Sequence, residues 1–433
     1  MTKHFGTTRW NVRTVVVLIA AIALVLITGA IAPTSAKAAE TSGVTSTSIL
    51  IGSHQPLTGV AAPGYSEIAP AENAFYQYVN AQGGVNGRKI QFKYVDDMYN
   101  PANTPTVVRQ LVLQDNVFAI VSGLGTPTHE TVVQYLNANR VPDLFVASGC
   151  DCWNNAKKNP YTFGYQTDYT IEAKILGKYV TDHFNGQKVA YIYQNDDVGQ
   201  GALQGLRQQI PSSAVVTKQP YSVNDLLSPS GLANQVSAVK AAGAQVVVLF
   251  TVNFGTASVL KSAAQIDYHP QFVVSNIGSD PPIVGGLLGS ANASLENGVI
   301  SDSYLPTEFD LSNPWISLFK KIHDQYDASK PFDGNTVYGM SAGYLFVQAL
   351  KDAGKNPTRQ SIVNALNANG AHYKGPGLVP LGFSKNYHGG YLGTQIGTIN
   401  NGSIMTSGPV YVTRDTGPIT VYSSSQPAPP SKF

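Results

Sequence analysis

Charge is scarce in this chain: 12% of its 433 residues are charged, with 28 basic and 26 acidic side chains. No basic run with interleaved aromatics occurs, which argues against nucleic acid or an anionic membrane surface as a partner. Cysteine occurs twice, at Cys150 and Cys152, with no further ligand nearby in sequence. A C-x-C pair alone does not make a metal site, which needs three or four ligands, so no metal is expected. Several motifs are missing as well: G-x-x-x-x-G-K-[ST], G-x-G-x-x-G after the first strand, H-E-x-x-H and G-x-S-x-G. Phosphate-loop, dinucleotide, zinc-protease and serine-hydrolase chemistry therefore have no carrier here, and neither an enzyme nor a cofactor is expected.

The first 39 residues read as a segment apart. Lys3, Arg9 and Arg13 precede an uncharged run from Val15 to Ala32, and Ala36-Lys37-Ala38 is an A-x-A pattern. This is an export signal or, because the run is long, an N-terminal anchor. No cysteine follows the run, so lipid attachment through an N-terminal Cys is not expected. The segment holds four of the basic residues and no acid, which leaves 24 basic against 26 acidic side chains in the rest. Thr41 to Ser48 is Ser/Thr-rich and reads as a flexible lead. The tail, Ser423 to Phe433, is Ser/Pro-rich and reads as disordered.

Between these ends, apolar runs alternate with helical periodicity. Ile49–Gly52 leads into Ser53-His54-Gln55-Pro56-Leu57-Thr58-Gly59, then a helix from about Tyr65 to Asn80. Ile90–Val95, Phe118–Val121 and Asp143–Ala147 are further strands with helices between them. Near Tyr161–Gly164 the pattern resets, and Val189–Tyr193, Val246–Phe250 and Phe272–Ser275 begin a second set. Strands spaced by helices predict α/β lobes with largely parallel sheets, whose ligands sit beyond the carboxyl ends of the strands.

The loops at those ends supply the candidates. Gly125, Thr126 and Ser148 offer backbone N–H groups and hydroxyls suited to a carboxylate. His54 either faces the cleft or serves local loop hydrogen bonds. Trp153, Tyr65, Tyr165 and Phe254 are divided between covering a ligand and plain packing. His129, His323 and the acidic pairs Asp96-Asp97 and Asp196-Asp197 are read as structural: packing, caps, hinges or water-facing groups. Cys150 and Cys152 either close a small disulfide or remain two thiols.

Pro56-Leu57-Thr58-Gly59, the stretch from Val79 to Lys89 (VNAQGGVNGRK), Asp96-Asp97 with Asn100-Pro101, and Asp196-Asp197-Val198-Gly199 together resemble one family. It is the branched-chain amino-acid/amide type of ABC-transporter solute-binding protein, Leu/Ile/Val-binding-like, and the likeness runs from Ile49 to about Val412. The resemblance implies a type I periplasmic-binding fold, two α/β lobes joined by three hinge crossings and closing on a ligand. Lobe 1 would comprise residues 49–165 and 303–370, and lobe 2 residues 166–302 and 371–415, followed by a tail over 416–433. It also implies an exported receptor, periplasmic or at the cell surface, that works as a monomer with a membrane permease; a membrane-anchored sensor on the same fold is the alternative. Ligand residues carried over from the family are Gly125, Thr126, Ser148 and Cys150 in lobe 1, and Val198, Thr251 or Phe250, and Asn276 or Ile277 in lobe 2. One departure stands out: where the family places an acid for a ligand ammonium, Ser275 to Ile277 has none, and Asp280 stands further along, the one acid that could reach back. The expected ligand is therefore an amino acid, an amide or a small carboxylate, with those lacking an α-amine fitting at least as well.

Overall fold

The computed structural model describes residues 1–4, 41–423 and 425–433. The expected export segment lies almost wholly outside the described residues. Among those described, no helix is long and apolar enough to cross a membrane.

Two sheets organise residues 41–433. The first holds β1 (Ser48–Gln55), β2 (Lys89–Asp96), β3 (Ile120–Val121), β4 (Asp143–Val146) and β5 (Thr162–Gly164), all parallel, in the order β2-β1-β3-β4-β5. The second begins with β6 (Val189–Gln194), β7 (Val215–Tyr221), β8 (Val246–Phe250), β9 (Gln271–Val274) and β10 (Ile300–Ser303). It is completed by β11 (Gly393–Asn400), β12 (Ser403–Val412) and β13 (Thr420–Tyr422), giving the order β13-β12-β11-β10-β9-β8-β6-β7. From β10 onward its neighbours run antiparallel.

The central strand β8, VVVLF, is buried at every position, as a parallel strand covered on both faces must be. In the first lobe the helix Ile68–Ala81 buries Ile68, Ala71, Phe75 and Val79, one face at helical spacing. That face meets the helix Gly334–Asp352 so closely that a Cβ on Gly339 would strike the carbonyl of Ile68. The helix Pro314–Tyr326 starts as its sequence predicts, with the Asn313 side chain accepting from the Trp315 N–H at 2.9 Å. Phe319, Ile322, Val347 and Ile362 from these later helices share one core with Ile49, Phe118 and Leu144 of the first sheet. The chain thus crosses between lobes after β5, after β10 and before β11, which places both sheets' carboxyl ends around one cleft.

Both flanking segments depart from expectation. The lead at residues 41–48 turns back on β1, where the Leu50 N–H donates to the Gly43 carbonyl at 2.8 Å. The tail contributes β13, the Trp315 Nε1–H donates to the Pro427 carbonyl at 2.6 Å, and Phe433 is buried against Phe75, Tyr78 and Tyr344. Ser/Pro composition suggested disorder, but an aromatic end residue and an uncovered aromatic surface on lobe 1 give the tail a seat.

Candidate functional site

The lobes enclose a cavity of about 140 Å³. A void of roughly 150 Å³ accepts one benzene-sized ring, so the space suits a small molecule. Tyr65, Tyr99, Gly125, Thr126 and Tyr338 line it from the first lobe, and Tyr169, Val198, Asn253, Asn276 and Ile277 from the second. The lobes touch across it: the Tyr65 hydroxyl donates to the Ile277 carbonyl, and Asn335 Nδ2 donates to Asp280 Oδ2 at 3.1 Å.

One wall is built for an anionic or carbonyl group. Gly125 adopts φ +103, and a Cβ there would meet Thr128 Oγ1 and the Tyr99 ring, so only glycine fits. It precedes the helix Thr126–Ala138, whose first N–H groups lack intrahelical acceptors, Pro127 supplying none. The Thr126 hydroxyl lies 2.7 Å from Ser148 Oγ and 3.3 Å from the Tyr169 hydroxyl.

The opposite wall is acidic. Asp280, Asp302 and Glu308 line the cavity, and among the described residues no Lys, Arg or His does. Asp302 is buried, and neither of its carboxylate oxygens has a donor at hydrogen-bond geometry. Glu172 stands behind it and accepts from the Asn276 N–H at 2.7 Å and the Asn276 amide at 2.9 Å. Burial, then the charge of Asp302, raises the Glu172 carboxyl well above the usual range. Burial also raises Asp302, to about 6. Burial and then the Glu308 charge push Asp280 up to about 8, and burial raises Glu308 to about 7. An ionised acid trapped in this space lacks a counter-charge, and a cationic group there would supply it.

Of the residues expected from sequence, Gly125, Thr126, Val198 and Asn276 line the cavity, as do Tyr65 and Ile277. Ser148 stands one hydrogen bond behind, on Thr126. Thr251 is fully buried, its Oγ1 2.7 Å from Thr256 Oγ1, and Phe250 packs in the lobe-2 core. Tyr165 packs on Tyr338 and Tyr391, and Phe254 packs against the lobe-2 core. Trp153 is buried edge-on to His129, and Cys150 is joined to Cys152 in a disulfide. None of these buried groups reaches the cavity.

His54 is also not a cavity residue. Its Nδ1 lies 2.8 Å from Asp97 Oδ2, its Nε2 lies 2.9 Å from His129 Nδ1, and His129 Nε2 lies 2.8 Å from Asp143 Oδ2. Burial lowers the His54 pKa, against the hydrogen bond and charge of Asp97, which raise it. This fully buried chain supports the loops that carry Gly125 and Thr126. Asp96 likewise ties its loop, accepting from the backbone N–H groups of Leu57, Thr58 and Met98. Asp196 caps the helix Asp197–Leu206 through the Val198 N–H at 2.9 Å.

Asp302 and Glu308 were not among the sequence candidates; Asp280 does reach back to the cavity, and all three acids line it although Ser275 to Ile277 has none. Asp302 enters from β10, the strand that leaves the second lobe, rather than from the loop after β9. An acid inside the apolar run of VISDSYL was the available signal.

A two-lobed α/β fold closing on a cavity lined from both sides defines a type I periplasmic-binding architecture. The periplasmic binding protein family matches residues 48–403, and the chain belongs to that family. It resembles the Leu/Ile/Val-binding protein homolog 1 of Brucella abortus (strain 2308), with 23% identity over 329 residues, 74% of this chain and 83% of the relative. A fatty acid ABC transporter substrate-binding protein from Thermomonospora curvata superimposes with a TM-score of 0.76 at 22% identity, covering 87% of this chain and 95% of that one. A branched chain amino acid ABC transporter structure from Thermus thermophilus with bound valine gives 0.74 at 19% identity, covering 86% and 98%. Within that family its likeness is to Leu/Ile/Val-binding proteins.

Proposed function

We propose that this chain is an extracytoplasmic receptor of an ABC importer, which captures an amino acid between its closing lobes and delivers it to a membrane permease. The carrying observation is the polarity of the cavity. Hydroxyls and a helix N-terminus form one wall, and the buried acids Asp302, Asp280 and Glu308 form the other. A zwitterion satisfies both, its carboxylate at Thr126 and its ammonium at Asp302. An amide satisfies them less fully, and a carboxylate without an amine leaves the acids unpaired. Family membership supports the transport role and a periplasmic or extracellular location. Binding energy then favours the closed state and shifts the population toward the form a permease would recognise.

The test is native mass spectrometry of the purified protein, followed by thermal unfolding against amino acids, short amides and aromatic carboxylates. A ligand that binds the folded form raises Tm by mass action. The largest shifts are expected among amino acids. Larger shifts with carboxylates lacking an amine would contradict the reading.

A further inference from the structure

On the flank of the cleft, apart from the cavity, a second group of side chains spans both lobes. Glu130 lies on the helix Thr126–Ala138, and Cys150 and Cys152 follow β4, all on the first lobe. Asp197 opens the helix Asp197–Leu206 on the second. One donor atom from each of the four lies within 4.8 Å of the others. Cys150 Sγ is 3.7 Å from Asp197 Oδ2, a contact between lobes. Cys150 is buried, while Cys152 and Asp197 are half-buried, so a small ion can reach the group.

With the Cys150–Cys152 disulfide closed, the sulfurs carry no hydrogen and are poor ligands. Two carboxylates then face each other across the lobes, with Lys158 as the cation whose charge acts on Glu130. A dithiol reductant changes the donor set. It passes two electrons and two protons to the disulfide, the S–S bond breaks to two thiols, and the reductant closes its own disulfide. Each thiol loses its proton as a metal–sulfur bond forms. Two thiolates with two carboxylates make a four-donor set that suits Zn²⁺. Zn–S bonds of about 2.3 Å and Zn–O bonds of about 2.0 Å need donor separations near 3.3–3.8 Å. The carboxylate oxygens therefore have to draw in by about 1 Å, within the reach of Glu130 and Asp197 rotamers, while the two sulfurs, released from their bond, move apart to about 3.8 Å.

We propose that Glu130, Asp197 and the reduced Cys150 and Cys152 form a Zn²⁺ site that bridges the two lobes and holds them closed. Sequence hid it, because the C-x-C pair has no ligands beside it in the chain and the fold brings both acids from elsewhere.

The experiment titrates Zn²⁺ against a chromophoric chelator with the whole chain, oxidised or reduced by a dithiol and then desalted without oxygen. The reduced chain is expected to take one Zn²⁺ roughly 100-fold or more tighter than the oxidised chain. Loss of one ligand in Asp197→Asn is expected to weaken it about 10- to 100-fold, and Glu130→Gln similarly. Co²⁺ in the reduced protein should show a thiolate-to-metal absorption band that Cys152→Ser loses. Equal Zn²⁺ affinity of oxidised and reduced chains overturns the proposal. So does reduced Asp197→Asn that retains the parent's affinity, because the metal would then not bridge the lobes. Two separate acid variants, one on each lobe, keep the result readable if one of them folds poorly.

Discussion

Asn335 Nδ2 donates to Asp280 Oδ2 at 3.1 Å, joining a helix of the first lobe to the cap of a helix in the second. The Asp280 side chain also accepts from the Ile283 N–H at 3.3 Å, so one carboxyl both caps the helix Pro281–Leu288 and closes the cleft. Asn335→Ala deletes the closing bond and leaves the cap. It is expected to weaken ligand binding by roughly fivefold, the value of one hydrogen bond of about 1 kcal/mol, while stability changes by about 1 kcal/mol or less. Calorimetry and chemical denaturation of the variant check both numbers.

Cation binding in this cavity should release protons. The empty site holds Asp280 and Glu308 with carboxyls raised to about 8 and about 7, so both are partly protonated near neutrality. A ligand ammonium favours their ionised forms and pulls those values down. Between pH 6 and 8, roughly the window those raised values define, affinity is expected to rise with pH as protons leave. Calorimetry in two buffers of different ionisation enthalpy measures the number released. Zero release with a bound amine would show that its nitrogen does not sit among these acids.

His388 is a separate pH probe, far from the ligand. Its ring stacks on Phe163 at 3.8 Å, and its Nδ1–H donates to the Thr162 carbonyl at 2.8 Å. Burial lowers its pKa from 6.5 to about 4. The folded state therefore prefers the neutral ring, and the unfolded chain binds the extra proton first. The resulting stability is complete above pH 6.5 and is lost as pH falls toward 4, up to about 3 kcal/mol. The raised carboxyls elsewhere slope the opposite way, so the test is a difference. The stability of His388→Gln relative to the parent should improve as pH falls from 7 to 4.5. A constant difference would contradict the assignment.

The C-terminal residues are load on the fold rather than a loose end. Phe433 meets Phe75 at 5.3 Å and Tyr344 at 5.6 Å between ring centroids. Phe433→Ala is expected to cost roughly 2–3 kcal/mol in denaturant unfolding. Unchanged stability would place the tail off this surface.

Much of this architecture is readable from periodicity. Val246–Phe250 is an unbroken apolar run and is a buried central strand, and Asn313-Pro314 marks a helix start that the structure shows. β7 escaped notice because it is an edge strand with weak alternation and Pro220 near its end. The site was legible only where it uses the loops after strands, as at Gly125, Thr126, Val198 and Asn276. Of its acids only Asp280 was in view, because Asp302 and Glu308 join it from the segment that leaves the second lobe. His54 left two readings open, and the structure takes the hydrogen-bonded one, with Asp97 and His129, distant in sequence, claiming both its nitrogens.

The most direct measurement uses three ligands of one shape: leucine, 4-methylpentanoate without the amine, and 3-methylbutylamine without the carboxylate. Each is titrated calorimetrically into the parent and into Asp302→Asn. Leucine is expected to bind the parent tightest, with 4-methylpentanoate at least 100-fold weaker because it leaves Asp302 unpaired in a closed cavity. Asp302→Asn should weaken leucine and the amine but not 4-methylpentanoate. If 4-methylpentanoate binds the parent as well as leucine does, or if Asp302→Asn leaves leucine unaffected, the acidic wall does not receive the ligand's nitrogen and the account is wrong.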